Sequence, residues 1–267
     1  MRSTSTIAPP ISTKEKTVSN TTPCLTTVGV FVASDYSALC AQVADRIDAL
    51  VRSKPDAVLG LATGATPLGV YAELVKRHRE EGLDFSRVTC FNLDEYYPMS
   101  PKSLHSYRQF MSLNLFDYLN CKHWSVPDGR PSTFPQIETL CRDYEDAIRD
   151  SGGIDLQLLG VGRTGHMGFN EPGSSVHSRT RLVTLADVTR QDAAPGFGGL
   201  KNVPTQAITM GVGTILEARQ IVMMASGAAK ADIVRRVMTE DISAQLPASF
   251  VRLHENAVLC LDQAANG

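Results

Sequence analysis

The sequence predicts an α/β fold: a Rossmann-like, mostly parallel sheet with helices on both faces, built as a single domain over residues 27–267. Short apolar runs alternate with segments in which apolar residues recur at helical spacing. Several of the runs are apolar at almost every position, which is typical of strands covered on both faces. The chain also shows no internal repeat and no linker within those residues.

The individual elements follow from this alternation. Apolar runs predict strands at 28–33, 57–62, 87–92, 154–161, 181–185, 207–211, 220–226 and 256–262. Helical spacing predicts helices at 35–53, 67–82, 104–119 and 135–150. Asp35 is placed to cap the first of these helices, and Pro67 suits the first turn of the second.

Composition restricts the class of protein. Residues 1–26 are rich in Ser, Thr and Pro and lack the apolar segment of a signal peptide, so we expect a disordered tail. The six cysteines are scattered and none forms C-x-x-C, which predicts reduced thiols in the core and a cytoplasmic protein. The net charge is -2, without the basic cluster that nucleic acid requires, and no apolar run has membrane-spanning length. We therefore expect a small-molecule partner.

Chemistry is expected at one edge of the sheet. In open parallel sheets, ligands bind beyond the carboxyl ends of the strands. The strands predicted at 57–62, 87–92 and 154–161 are each followed by residues that are unusual in a plain connection. These three strand ends are the candidate site.

The third strand end, "GVGRTGHMGFNEPG" (Gly160–Gly173), begins with the G-x-G-x-x-G pattern of dinucleotide-binding proteins. That pattern needs a helix opening at its third glycine, so that the helix dipole points at the pyrophosphate. Gly168, Pro172 and Gly173 make a regular helix improbable, and no nicotinamide cofactor is predicted. The glycines instead allow sharp turns and a close approach of the backbone to a ligand.

The same segment places His166, Asn170 and Glu171 at the strand end. A histidine can shuttle protons near neutral pH, and the Glu171 carboxylate is placed to orient it. No third ligand accompanies His166 and Glu171, so no metal is predicted. The G-x-S-x-G motif of a serine hydrolase is missing as well.

After the first of the three strands, Thr63, Gly64, Ala65 and Thr66 lead into a helix. Small residues there leave backbone N–H groups exposed at a helix N-terminus, which suits a phosphate group. An ordinary turn with a threonine cap is the alternative interpretation.

After the second strand, two acids, Asp94 and Glu95, are adjacent. Adjacent side chains of an extended chain point to opposite sides, so one acid can face the crevice while the other supports the loop. A carboxylate beside a bound sugar is suited to act as a general base. A solvated loop acid is the alternative.

Six segments now suggest a family. In chain order, "LATGATP", "FNLDEYY", "GVGRTGHMGFNEPGSS", "SRTR", "AITMGVGTILEA" and "ASGAAKA" resemble glucosamine-6-phosphate deaminases (isomerases) from about Val28 to Asp262. The joint presence of "NLDEY" and "GHxGFNEP" is the specific part of this resemblance. The 6-phosphogluconolactonases are similar in fold, but their Gly-His motif is not followed by "FNEP".

The resemblance implies an isomerising hydrolase that converts glucosamine 6-phosphate to fructose 6-phosphate and ammonia without metal or organic cofactor. It gives Asp94 the role of the base that takes the C2 proton and delivers it to C1. His166 matches the residue that opens the sugar ring, and Glu171 matches the acid that supports it. Residues 63–66 and Lys230 match phosphate-binding positions.

Supporting roles fall to Thr164, Glu95 and Asn170, and a homo-oligomer is compatible with the resemblance. Many members have an aspartate where Thr164 stands, so ring opening would depend more on Glu171 here. Bacterial members also have a phosphate-binding arginine at a position that aligns near Pro195, which would leave phosphate affinity to Lys230 and the loop amides.

Arg181 and Ser174–Ser175 match an allosteric site of some members, but Val183 replaces a lysine of that site. Three alternative functions stay open. The C-terminal segment "PASFVRLHENAVLCLD" is similar to galactosamine-6-phosphate isomerase-like members, the fold also serves 6-phosphogluconolactonases, and Thr164 is compatible with a non-catalytic sugar-phosphate sensor.

Overall fold

The computed structural model describes residues 28–130 and 133–267, and the tail predicted at 1–26 lies outside these ranges. The strands are β1 (Gly29–Ala33), β2 (Val58–Leu61), β3 (Thr89–Asn92), β4 (Asp94–Tyr97), β5 (His123–Ser125), β6 (Leu156–Gly160), β7 (Arg181–Thr184), β8 (Gln206–Thr209), β9 (Ile221–Ala225) and β10 (Ala257–Asp262). The α-helices are α1 (Tyr36–Ser53), α2 (Leu68–Glu81), α3 (Tyr107–Asn114), α4 (Phe134–Asp150), α5 (Asp187–Ala193), α6 (Val212–Leu216), α7 (Ala231–Thr239) and α8 (Gln263–Asn266).

Seven strands form one sheet in the order β1-β10-β9-β6-β2-β3-β5, and every neighbouring pair is parallel. Side chains alternate between its two faces, as period-2 geometry requires. In β6, Leu158 packs with α1 and α2 on one face, while Leu159 packs with α4 and α7 on the other. The predicted fold class is therefore confirmed.

The structure contains a second sheet that was not predicted from the sequence. The strands predicted at 181–185 and 207–211 do not join the parallel sheet; as β7 and β8 they pair with β4 in an antiparallel sheet of order β4-β8-β7. Short apolar runs show that a strand is present but not which strand it pairs with. The acids at 94 and 95 consequently lie within a strand, not in a loop.

Several helix boundaries differ from those predicted. The helix expected over 104–119 is confined to α3, because the Ser106 side chain caps its first turn at the Arg108 N–H and the segment before it turns. A short 3₁₀ turn, Phe116–Tyr118, follows. Asp35 caps α1 as expected, accepting from the Ala38 N–H at 2.9 Å.

The loops after β2, β3, β6 and β9 all leave the carboxyl edge of the large sheet. Asp262, at the end of β10, fixes the last of these loops. Its carboxylate accepts from the Gly227 N–H at 3.0 Å and from the Ala265 N–H at 2.8 Å. This places the short turn that carries Lys230 at the same edge.

Candidate active site

The carboxyl edge of the large sheet surrounds a cavity of about 320 Å³. Of the residues singled out from the sequence, those that line it are Thr63, Gly64, Ala65, Thr66, Asp94, His166 and Lys230. Glu95, Thr164, Asn170 and Glu171 lie behind this wall. The three strand ends chosen from the sequence, together with the loop after β9, thus share one cavity.

Asp94 is the buried acid of the cavity wall, with only 4% of its surface exposed. Its Oδ1 has no hydrogen-bond partner among the described residues, and burial together with the charge of Glu95 raises its pKa to about 8. A carboxyl group with such a pKa changes protonation state near neutral pH, as a general base must.

Glu95 points away from the cavity and anchors the start of α3. Its carboxylate accepts from the backbone N–H groups of Tyr107 at 3.0 Å and Arg108 at 3.1 Å, and from the Ser106 hydroxyl at 2.6 Å. The two adjacent acids therefore have different roles in the structure. Asp94 lines the cavity, and Glu95 accepts hydrogen bonds from otherwise unpaired N–H groups at a helix N-terminus.

His166 is held by two side chains behind it. Its Nδ1 lies 2.8 Å from the Thr164 hydroxyl and 3.4 Å from Glu171 Oε2. If Nδ1 carries the proton, it donates to this pair and leaves Nε2 as an acceptor. Glu171 is itself fixed by the Thr189 hydroxyl at 2.5 Å. Burial opposes its ionisation, but hydrogen bonds from His166 and Thr189 outweigh burial, so the Glu171 pKa lies below its ordinary value.

Gly162 of the G-x-G-x-x-G pattern leaves room for the imidazole ring of His166. Residues 161–180 form turns and no helix, as predicted. A Cβ at Gly162 would lie 1.9 Å from His166 Nε2, which no side chain could accommodate without moving the ring. Close approach between backbone and imidazole thus explains this glycine.

Gly162→Ala is expected to displace the His166 ring and to lower kcat by about 10- to 100-fold, since small misplacements of a reacting group have effects of this size. Gly196→Ala is the matched control, because nothing lies within 4 Å of the Cβ that it would add. Steady-state kinetics of both variants check this. Equal kcat values for the two would show that the ring does not depend on the contact.

Asn170 is a buried clamp behind the cavity. Its amide donates to the carbonyls of Met167 at 3.1 Å and Met210 at 2.8 Å, and its Oδ1 accepts from Arg181 at 2.9 Å. Arg181 also donates to the Ser174 hydroxyl at 3.2 Å. These bonds tie the segment after His166 to the small sheet.

Residues 63–66 form the turn between β2 and α2. The Tyr36 hydroxyl pins this turn, since it lies 3.0 Å from the Thr66 carbonyl oxygen and accepts from the Gly69 N–H at 2.9 Å. Within the described ranges, the N–H groups of Gly64, Ala65 and Thr66 have no protein acceptor. Such unpaired N–H groups at a helix N-terminus favour an anion.

Five polar residues of the cavity wall were not singled out from the sequence: Tyr96, Tyr107, Arg163, Thr189 and Asp192. Arg163 carried a signal, since it lies inside the glycine-rich segment at a strand end. Tyr96 carried one too, since it directly follows the two acids at another strand end. Tyr107 in α3, and Thr189 and Asp192 in α5, carried none, because their positions depend on how those helices pack. Within residues 28–130 and 133–267, no three His, Cys, Asp or Glu side chains cluster closely enough to hold a metal ion.

Residues 34–260 match the family model described as glucosamine-6-phosphate isomerases/6-phosphogluconolactonase. The chain belongs to this family. The family predicted from the sequence motifs is therefore confirmed.

Curated family members are similar over most of their length. The chain is 47% identical to a glucosamine-6-phosphate deaminase of Arthrobacter sp. (strain FB24), over 84% of this chain and 86% of the relative. It is 45% identical to a glucosamine-6-phosphate deaminase of Geobacillus sp. (strain WCH70), over 87% of this chain and 92% of the relative.

Solved family structures separate into two groups. A monomeric glucosamine-6-phosphate deaminase is 40% identical, with a TM-score of 0.86 over 90% of this chain and 99% of that chain. A 6-phosphogluconolactonase from Trypanosoma brucei is 19% identical, with a TM-score of 0.71 over 89% of this chain and 97% of that chain. The second likeness shows a common fold.

Proposed function

We propose that the protein is a glucosamine-6-phosphate deaminase that converts glucosamine 6-phosphate and water to fructose 6-phosphate and ammonia. One observation carries the proposal: a single cavity holds a buried carboxyl group, an imidazole, a lysine and unpaired backbone N–H groups. The first two suit proton transfer, and the others suit a phosphate. The family members at 41% to 47% identity that bear this name support the substrate.

In the proposed reaction, the phosphate binds at residues 63–66 and Lys230, which fixes the sugar and lowers the entropic cost of proton transfer. His166 assists ring opening, since Nε2 takes the proton of the C1 hydroxyl group and returns a proton to the ring oxygen as the bond between C1 and that oxygen breaks. Asp94 takes the C2 proton of the open aldehyde and delivers it to C1, while one proton of the substrate ammonium passes to O1. These transfers leave a C1 hydroxymethyl group and a C2 iminium. Water hydrolyses the iminium to the ketone and ammonia.

Glu171 and Thr164 are positioning residues in this proposal, since they reach the substrate only through His166. Glu95 acts on the reaction only through Asp94 and α3. We also propose a cytoplasmic location. In support, the five cysteines of the described residues are all free, and no helix there is long and apolar enough to cross a membrane.

An ammonia-release assay tests the function. Purified protein is expected to release ammonia from glucosamine 6-phosphate in step with formation of fructose 6-phosphate. Galactosamine 6-phosphate and 6-phosphogluconolactone, assayed in parallel, should react far more slowly. Preference for the galactosamine epimer would correct the substrate, hydrolysis of the lactone alone would make the protein a lactonase, and binding without turnover would indicate a sensor.

A further inference from the structure

The cavity is lined by one cation that the family motifs do not account for. Lys230 matches a phosphate-binding position, but the position near Pro195 carries no arginine. Pro195 lies in a short 3₁₀ helix, Ala194–Phe197, and is not part of the cavity wall. Arg163 is part of that wall.

Asp192 holds the guanidinium of Arg163 in place, but most of the N–H donors of this group stay available for a ligand. Its Nη2 donates to Asp192 Oδ1 at 2.7 Å, while 60% of the side chain is exposed. Within the described ranges, its remaining N–H groups have no protein acceptor. A guanidinium has five N–H donors in a planar fork that matches phosphate oxygens, so this one can bind Asp192 and an anion together.

The ammonium group of Lys230 also has N–H donors available for a ligand. Its ammonium donates to the Val161 carbonyl at 2.8 Å, and it has no further protein acceptor among the described residues. Burial lowers its pKa, Asp192 acts to raise it, and the charge of Arg163 acts to lower it. The two cations therefore lie within electrostatic reach of each other, and an anion bound by both would relieve their repulsion.

We propose that Arg163 binds the phosphate group of the substrate together with Lys230, and that Asp192 orients the guanidinium for this contact. Arg163 then supplies, from the loop after β6, the positive charge that the segment around Pro195 does not. The inference rests on the proposed function and names a further substrate-binding residue of the same cavity.

Arg163→Gln and Arg163→Lys test the inference. Arg87→Gln is the matched control, since this exposed arginine precedes β3 at the opposite edge of the sheet. Among the described residues, its guanidinium pairs only with Asp56, at 3.9 Å. We expect Arg163→Gln to raise the KM for glucosamine 6-phosphate by about 10- to 100-fold with little change in kcat, as loss of hydrogen bonds to a charged group predicts. Arg163→Lys should recover part of the affinity, and Arg87→Gln should match the wild type.

Calorimetric binding of fructose 6-phosphate and of fructose separates this inference from the proposed function. The affinity for fructose 6-phosphate should fall in Arg163→Gln, whereas the much weaker binding of fructose should not change. Unchanged KM and fructose 6-phosphate affinity in Arg163→Gln would overturn the role of Arg163 and leave the function intact. A wild-type protein that releases no ammonia would overturn the function, and the calorimetry would still decide whether Arg163 binds the phosphate. Absence of fructose 6-phosphate binding by the wild type would overturn both.

Discussion

Asp94→Asn is expected to lower kcat by about 10²- to 10⁴-fold, the usual contribution of a positioned general base. The amide has nearly the same shape as the carboxyl group, so the KM should stay within a few-fold of the wild-type value. The physical reason is that an amide cannot accept the C2 proton. Steady-state ammonia release measures both parameters.

A second readout identifies the step that is lost. With glucosamine 6-phosphate deuterated at C2, the wild type should carry deuterium to C1 of fructose 6-phosphate, and Asp94→Asn should not. Asp56→Asn, which changes an exposed carboxylate, is the matched control. Wild-type turnover in Asp94→Asn would remove Asp94 from the proton-transfer step.

The raised pKa of Asp94 also predicts the pH dependence of the wild type. A base works only when it is ionised, so kcat/KM should increase with pH and reach a plateau above about pH 8. For stability the sign is reversed, because burial disfavours the charged form. As pH rises from the unfolded pKa, near 3.8, towards about 8, the folded wild type progressively loses stability from this group.

Asp94→Asn should escape this loss. Its melting temperature should exceed that of the wild type by roughly 5 °C on the alkaline plateau, and the difference should shrink towards acid pH. Thermal unfolding at a series of pH values measures it. A difference in melting temperature that does not change with pH would mean that folding does not raise the pKa of Asp94.

His166→Asn is expected to have the second-largest effect, a fall in kcat of about 10²-fold or more, because it removes the group proposed to transfer the proton during ring opening. The loss should be confined to substrates with a closed ring. An open-chain alditol of glucosamine 6-phosphate needs no ring opening, so its affinity should change little.

Measuring kcat for the substrate and the dissociation constant for the alditol tests this assignment. His123→Asn, at the exposed start of β5, is the control. Loss of alditol affinity equal to the loss of kcat would instead mean that His166 acts in binding. Glu171→Gln should lower kcat less than His166→Asn does, since Thr164 continues to contact Nδ1.

The parallel sheet and the position of the candidate site at its carboxyl edge were predictable because each depends on local pattern. Continuous apolar runs such as β9, buried at every position, indicate strands covered on both faces. The carboxyl ends of parallel strands must share an edge, so the sequence alone predicts that Thr63, Asp94 and His166 lie close together. Lys230 came only from the family resemblance.

What the sequence did not reveal depends on long-range pairing. Nothing local shows that Asp94 pairs with Thr209 in a second sheet, and this pairing sets which of the two acids faces the cavity. The contact between Asp192 and Arg163 could not be predicted either, because these residues are 29 positions apart in the chain. Such contacts are fixed by the packing of whole elements, which no single window of sequence contains.

The anchoring of α3 by Glu95 limits how this enzyme can be adapted. Exchanging Glu95 for a neutral residue would lower the pKa of Asp94, but it would also release the helix start that the carboxylate holds. A variant of this protein that works at lower pH therefore cannot be made at position 95 without weakening the start of α3.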